Sequence, residues 1–102
     1  MRKNIMFLAC AVFVFAACGG GATAEDHISA GNEKYELRDY EGAVKDYDRA
    51  IKLQPDYAMA YLNRGLAKYM RGERDAAIKD LKKSAELGYE GAKDVIEQIE
   101  KQ

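Results

Sequence analysis

Few residues of this chain could do covalent or metal chemistry, and they stand near its amino terminus. The two cysteines are Cys10 and Cys18, and the one histidine is His27. A nucleophile needs a base beside it, and a metal needs several ligands aimed at one point. Glu25, Asp26 and His27 are adjacent, so on a helix they point in different directions and predict a solvated helix end. We therefore expect no catalytic residue, no metal site, no cofactor and no enzymatic activity.

The first seventeen residues have the layout of an export signal. Two positive charges precede a run of thirteen uncharged residues from Ile5 to Ala17. At about 1.5 Å per residue this run covers roughly 20 Å, short of the roughly 30 Å hydrocarbon core of a bilayer. Residues 1–17 are therefore predicted to be a signal peptide and not a permanent transmembrane helix.

The end of this segment contains two competing cleavage sites. The residues from Phe15 to Cys18 read FAAC and resemble the bacterial lipobox, although Phe15 stands where Leu is usual. The resemblance implies cleavage before Cys18, attachment of lipid to Cys18 with acyl chains such as palmitate, and a flexible tether over residues 18–25. The glycine after Cys18 then suggests the outer membrane, with the protein facing the periplasm.

Two other interpretations of this region stay open. The residues from Ala22 to Ala24 form an A-x-A pattern, and cleavage there would release a soluble periplasmic or secreted protein that starts at Glu25. Alternatively, Cys18 is only a small apolar residue of the signal. In each case the mature chain has no disulfide bond, because at most one cysteine remains.

The charge balance argues against binding to nucleic acid. Removing Arg2 and Lys3 from the 16 basic residues leaves 14, against 17 acidic residues, which gives a net charge of −3. The two signs alternate along the chain, so no basic stripe is expected.

The charged part of the chain contains an internal repeat of 34 residues. Residues 31–53 and 65–87 share seven identities, whereas average composition would produce about one or two. The identical pairs are Gly31/Gly65, Lys34/Lys68, Tyr35/Tyr69, Ala43/Ala77, Lys45/Lys79, Asp46/Asp80 and Leu53/Leu87. Apolar residues within each unit follow helical spacing. The pattern predicts an all-α fold with helices at about 26–37, 40–53, 57–71, 74–87 and 89–101, with Asp39 and Asp56 as N-caps and Gly88 after the fourth helix.

The repeat resembles the tetratricopeptide repeat family, which has a 34-residue helix-turn-helix unit. The matching residues are Gly31, Tyr35, Asp39, Tyr40, Ala43, Tyr47, Ala50 and Pro55 in the first unit, and Tyr61, Gly65, Tyr69, Gly72, Ala77 and Leu81 in the second. The sequence departs from the family pattern at His27, Lys34, Lys68, Ser84 and Tyr89. The resemblance implies repeat 1 at 26–56, repeat 2 at 57–88 and a capping helix at 89–102, which together make a fragment of an α-solenoid.

In this family the first helix of each pair lines a groove. The corresponding residues of repeat 2 are Met59, Leu62, Asn63, Leu66, Tyr69 and Met70, and those of repeat 1 are Ile28, Asn32, Tyr35 and Glu36. The apolar members of repeat 2 are expected to form one exposed stripe, and such stripes mark interaction sites. The alternative is that the stripe packs against neighbouring helices.

A known groove submotif of the family clamps a carboxylate with Lys and Asn residues. Asn32, Asn63 and Lys93 match it, whereas Ile28 and Glu97 do not. We therefore expect no clamp, and expect Asn63 to make a structural contact between helices.

These observations predict a non-catalytic adaptor that binds a protein or peptide in its groove and is held on the membrane by lipid at Cys18. The rival hypothesis is a structural protein that forms homo-oligomers in the cell envelope. The identity of the partner cannot be read from one chain.

Overall fold

The computed structural model describes residues 21–102, which form five α-helices and, over that range, no β-strand. In chain order the helices are α1 (Ala24–Glu36), α2 (Tyr40–Leu53), α3 (Ala58–Met70), α4 (Arg74–Glu86) and α5 (Gly91–Glu100). The predicted all-α fold of two helical pairs and a final helix is confirmed. The predictions for the signal peptide, for Cys18 and for Gly19 and Gly20 of the tether lie outside the described residues.

The first helix begins at Ala24, two residues before the predicted start, because its N-cap is Thr23. The Thr23 hydroxyl accepts a hydrogen bond from the Asp26 backbone N–H at 3.1 Å, and the Asp26 carboxylate accepts one from the Thr23 N–H at 2.9 Å. This reciprocal capping box satisfies two backbone donors, and the Thr23 N–H holds the pKa of Asp26 below its ordinary value. Ala24 and Glu25, which were expected in the tether, are therefore helical.

The other predicted helix ends were right in two cases and wrong in one. Asp39 caps α2 by accepting a hydrogen bond from the Gly42 N–H at 3.0 Å. Gly88 follows the C-cap of α4 with a φ of 111°, a conformation that suits glycine. Asp56, however, is not an N-cap, because α3 begins only at Ala58 and Tyr57 precedes it directly.

The two helices of each pair approach closely at a glycine. A Cβ atom on Gly31 in α1 would lie 2.5 Å from the ring of Tyr47 in α2, and one on Gly65 in α3 would lie 3.1 Å from the Ala77 carbonyl oxygen in α4. Glycine thus lets the large side chain of α2 lie against the backbone of α1. Tyr47 is 1% exposed as a result.

The buried apolar side chains form two clusters, one for each end of the helical stack. The first lies among α1, α2 and α3 and contains Ala24, Ile28, Ala43, Val44, Tyr47, Ala50, Ala60 and Ala67. The second contains Leu62, Leu81, Ala92 and Ile99, so α5 covers the end of the second pair. This is the capping role that was predicted for the last helix.

Candidate functional site

Helix α3 presents two different faces, and the predicted groove residues occupy one of them. Successive residues of a helix are about 100° apart around its axis. Leu62 and Leu66 therefore lie on one side, and Arg64 and Lys68 lie on nearly the opposite side.

The first face of α3 forms a small pocket with α1. The pocket has a volume of about 100 Å³, and its lining is Asn32, Tyr35, Tyr47, Asn63 and Leu66. We call these five residues the asparagine pocket. Four of them were predicted groove residues, from both repeats, and the fold brings them together. Tyr47 was identified from the sequence only as a residue that matches the repeat family, and it contributes its polar end to the pocket.

The asparagine pocket is organised around the side-chain oxygen of Asn32. This oxygen accepts a hydrogen bond from the Tyr47 hydroxyl at 2.6 Å and another from the Asn63 amide at 3.1 Å. The contact confirms the prediction that Asn63 joins two helices. The amide nitrogen of Asn32 has no partner among residues 21–102, and Asn32 is exposed, so it can donate to an external oxygen.

The two tyrosines of the pocket are held neutral. Burial raises the pKa of Tyr47 from 10.0 to about 12, and the neighbouring Tyr35 and Asp46 add to the effect. Burial also raises the pKa of Tyr35, with smaller contributions from Tyr40 and Glu36. Both hydroxyl groups therefore keep their protons near neutral pH, and Tyr47 donates its proton to Asn32.

Several predicted groove residues lie elsewhere. Ile28 and Leu62 are only 6% and 7% exposed and belong to the two core clusters, so the expectation that Leu62 is part of an exposed stripe was wrong. Leu62 shares its core cluster with Leu81 of α4 and with Ala92 and Ile99 of α5. Tyr69 is partly buried in the same cluster, and its hydroxyl donates to the Gln102 side chain.

The remaining predicted residues lie at the margins of the groove. Met59 and Met70 are 37% and 46% exposed. Glu36 lies beside a separate shallow cleft with Tyr35, Arg38 and Tyr40. The apolar surface of α3 is therefore interrupted, with two exposed methionines on either side of half-buried side chains.

The carboxylate-clamp positions do not come together. Asn32 and Asn63 bond to each other, and Lys93 forms an ion pair with Glu90 at 2.9 Å on the exposed start of α5. Lys93 does not line the asparagine pocket. Within residues 21–102 no group of three His, Cys, Asp or Glu side chains could hold a metal ion.

A buried ion-pair network was not predicted from the sequence. Asp46 bonds to Lys34 and Arg49, each at 2.7 Å, and its side chain is 3% exposed. In repeat 2, Asp80 bonds to Arg64 through two hydrogen bonds of 2.8 Å and to Lys68 at 3.1 Å. The identities Lys34/Lys68 and Asp46/Asp80, twelve residues apart in each unit, were the signal that could have found these pairs.

Arg64 also joins the two repeats. Its guanidinium bonds to Asp48 of α2 at 2.7 Å as well as to Asp80 of α4, and the hydrogen bond to Asp80 is the main cause of the raised pKa of Arg64. Planar guanidinium groups suit such multiple carboxylate contacts. Three helices are thus tied at one side chain.

Comparison with known proteins agrees with this helical arrangement. Residues 31–72 match the family model described as TPR repeat. The matched segment is similar to tetratricopeptide repeat proteins. The chain is similar to Tetratricopeptide repeat protein 36 homolog of Nematostella vectensis, with 36% identity over 67 residues, which are 66% of this chain and 37% of that protein.

Two further relatives are longer chains. Small glutamine-rich tetratricopeptide repeat-containing protein 2 of Saccharomyces cerevisiae is 42% identical over 59 residues, 58% of this chain and 17% of that protein. Serine/threonine-protein phosphatase 5 of Homo sapiens is 39% identical over 72 residues, 70% of this chain and 14% of that protein. The chain therefore spans well under half the length of the relatives it matches.

Proposed function

We propose that this protein is a non-catalytic adaptor that binds a peptide segment of a protein partner across the asparagine pocket. The observation that carries the proposal is the amide nitrogen of Asn32, which has no partner within residues 21–102, beside the apolar side chain of Leu66. A backbone carbonyl oxygen of a bound peptide can accept from Asn32, while a small apolar side chain contacts Leu66. The two contacts would fix both the register and the position of the peptide.

The pocket is small, so it suits one anchor residue and not a large ligand. A volume of about 100 Å³ holds a side chain of a few carbon atoms. The exposed Met59 offers further apolar contact next to the pocket, and methionine adapts to partners of different shape. The phosphatase relative is matched over 14% of its length, and no phosphatase activity is proposed for this chain.

The proposed binding site is tested by a substitution that removes the amide donor of Asn32 and keeps the hydrogen bonds to its side-chain oxygen. Asn32→Asp retains the oxygen that Tyr47 and Asn63 bond to, but it replaces the free amide group with a carboxylate oxygen. The matched control is Gln54→Glu, which makes the same amide-to-carboxylate change at an exposed C-cap away from the pocket.

The partner would first be identified by a photo-crosslinker at Leu66 in cells that express the protein, with a crosslinker at Gln54 as background. We expect the partner captured only from Leu66 to bind the Gln54→Glu protein normally and the Asn32→Asp protein at least about tenfold more weakly. Equal affinity for the two variants would reject the groove as the binding site.

We further propose that the domain is lipid-anchored through Cys18 in the cell envelope. Cleavage at the competing site would remove Thr23 and Ala24, which are the cap of α1 and a residue of the first core cluster that is 8% exposed. Processing before Cys18 keeps both, and this supports the lipobox interpretation. Two or three acyl chains suffice for stable attachment to a bilayer.

The anchor is tested by Cys18→Ser, with Cys10→Ser as the control inside the signal. We expect Cys18→Ser to lose the acyl mass and leave the membrane fraction, while Cys10→Ser stays membrane-bound. A mature chain whose measured mass corresponds to residues 25–102 without an acyl group would refute the anchor. No helix within residues 21–102 is long and apolar enough to cross a membrane.

Self-association is the second candidate function, and the exposed Met59 and Met70 favour it. Sedimentation of the protein at micromolar concentration distinguishes the two. A monomer excludes the oligomer, whereas a dimer that Met70→Glu dissociates would support it.

A further inference from the structure

A second cleft lies between α3 and α4, on the side of α3 that faces away from the asparagine pocket. Its volume is about 440 Å³, which makes it larger than the asparagine pocket. We call it the basic cleft, and its lining residues are Tyr61, Arg64, Lys68, Ala76, Lys79, Asp80 and Lys83. Four of these seven side chains are positively charged, and one is negatively charged.

The single carboxylate of the basic cleft is already neutralised. Asp80 takes two hydrogen bonds from Arg64 and an ion pair from Lys68. Lys79 and Lys83 have no carboxylate partner within residues 21–102, and both are exposed. They are four residues apart on α4, so their Cβ atoms lie about 5–6 Å apart on one face.

Comparison with repeat 1 explains why Lys83 has no carboxylate partner within residues 21–102. The residue that corresponds to Lys83 is Arg49, which is engaged by Asp46 at 2.7 Å. The residue that corresponds to Arg64 is Ala30, which carries no charge. In repeat 2, Arg64 on α3 bonds to Asp80, as Arg49 bonds to Asp46 in repeat 1. Asp80 therefore does not bond to Lys83. The corresponding positions of repeat 1 carry three positive side chains and one negative, so repeat 2 has one more positive charge there.

We propose that the basic cleft binds an acidic polypeptide segment, with neighbouring Asp or Glu carboxylates on Lys79 and Lys83. Carboxylates two residues apart in an extended chain lie on the same face, roughly 6–7 Å apart, and match the separation of these two lysines. The binding site lies on the other side of α3 from the asparagine pocket, so one protein can hold two partner segments at the same time.

A peptide suits the cleft better than an anionic membrane surface does. Without Arg2 and Lys3 the chain has 14 basic residues against 17 acidic ones, so its overall field repels a flat negative surface. The positive charge is concentrated in a concave site, where a narrow chain can enter and a bilayer cannot. The half-buried ring of Tyr61 borders the cleft, with the Arg64 guanidinium 5.5 Å from its centroid.

The experiment measures binding of a fluorescein-labelled hexaglutamate peptide to the full-length protein by fluorescence anisotropy at two salt concentrations. The test variant is Lys79→Gln with Lys83→Gln. The control is Lys45→Gln with Lys82→Gln, which removes the same charge from exposed lysines that do not line the cleft. Lys45 is the repeat 1 counterpart of Lys79.

We expect saturable binding that weakens with salt, a loss of at least about tenfold in the test variant and a change of less than about twofold in the control. Equal losses in the two variants, or no saturable binding, would overturn the proposal. Binding to phosphatidylglycerol vesicles in preference to the peptide would also overturn it.

The outcome is independent of the function proposed for the asparagine pocket. Asn32→Asp is expected to bind hexaglutamate as the unmodified protein does. If Asn32→Asp binds the peptide poorly and the Lys79 and Lys83 variant binds it well, the acidic segment occupies the asparagine pocket and the basic cleft is not its site.

Discussion

The two repeats have the same helical frame but differ in the polar groups they bury. Repeat 1 places Tyr47 in the position that Leu81 fills in repeat 2, and both side chains are almost fully buried. Asn32 likewise corresponds to Leu66. Repeat 1 therefore supplies the hydrogen-bonding part of the asparagine pocket, and repeat 2 supplies its apolar wall. The two repeats keep the same helical positions buried but differ in which of those positions carry polar groups.

The ion pairs differ in the same way. In repeat 1 the buried carboxylate of Asp46 takes one partner from each helix of the pair, Lys34 and Arg49. In repeat 2 both partners of Asp80 lie on α3. A shift of one cation between helices leaves the helical pairing intact but changes which lysines remain available on the surface.

The largest expected difference between the repeats is at their helix-crossing glycines. Gly31→Ala would drive a methyl group into the Tyr47 ring, at 2.5 Å, and we expect it to lower the free energy of unfolding by about 3 kcal/mol. The nearest atoms to a Cβ on Gly65 are at 3.1 Å, so Gly65→Ala should cost only about 1 kcal/mol. Urea unfolding followed by circular dichroism measures both values.

The glycine comparison has an internal control. Tyr47→Leu places the repeat 2 side chain opposite Gly31 and should reduce the added cost of Gly31→Ala to about that of Gly65→Ala. Equal costs for the two glycine variants, with no effect of Tyr47→Leu, would contradict the explanation.

The next effect concerns the buried carboxylates. Arg64→Met removes the main partner of Asp80, whose side chain is 8% exposed, and we expect a loss of about 2 kcal/mol in unfolding free energy. Lys34→Met removes a partner whose own side chain is 41% exposed and leaves Arg49 on Asp46, so a loss below about 1 kcal/mol is expected. Chemical denaturation at low and high salt measures both losses. A larger loss of unfolding free energy for Lys34→Met than for Arg64→Met would contradict the prediction.

A pH effect of about 1 kcal/mol should belong to repeat 1 alone, because Leu81 has no ionisable group. The folded state raises the pKa of Tyr47 from 10.0 to about 12. This contribution to stability is complete below pH 10.0 and is lost as the pH rises towards about 12, because the unfolded chain ionises first. Urea unfolding of Tyr47→Phe at about pH 9 and about pH 11.5 should show a smaller alkaline loss than the unmodified protein. The same loss in both proteins would refute the assignment.

The smallest effect is at the turn within each helical pair. Arg38 has a φ of 66°, and the corresponding Gly72 has a φ of 90°. A side chain in the left-handed region costs about 1 kcal/mol, so Arg38→Gly should raise the melting temperature slightly and Gly72→Arg should lower it. Thermal unfolding of both variants tests this prediction. A lower melting temperature for Arg38→Gly would contradict it.

The groove was only partly predictable from the sequence. Family positions identified Asn32, Tyr35, Asn63 and Leu66, and the fold brings these four together. The exposed stripe was wrong at Leu62, since helical spacing says which residues share a face but not which neighbouring helix covers it. The role of Tyr47 in the pocket was missed for a similar reason: a core position can still direct a hydroxyl to the surface.

The amino-acid sequence by itself determined the helices and the 34-residue repeat, because these depend on the local spacing of apolar side chains. Only the tertiary structure decided that Arg64 joins Asp48 and Asp80 and that Leu62 is buried in the second core cluster. It also decided that Lys79 and Lys83 have no carboxylate partner within residues 21–102. Those features depend on contacts between residues far apart in the chain, and many arrangements of such contacts are compatible with one helical pattern.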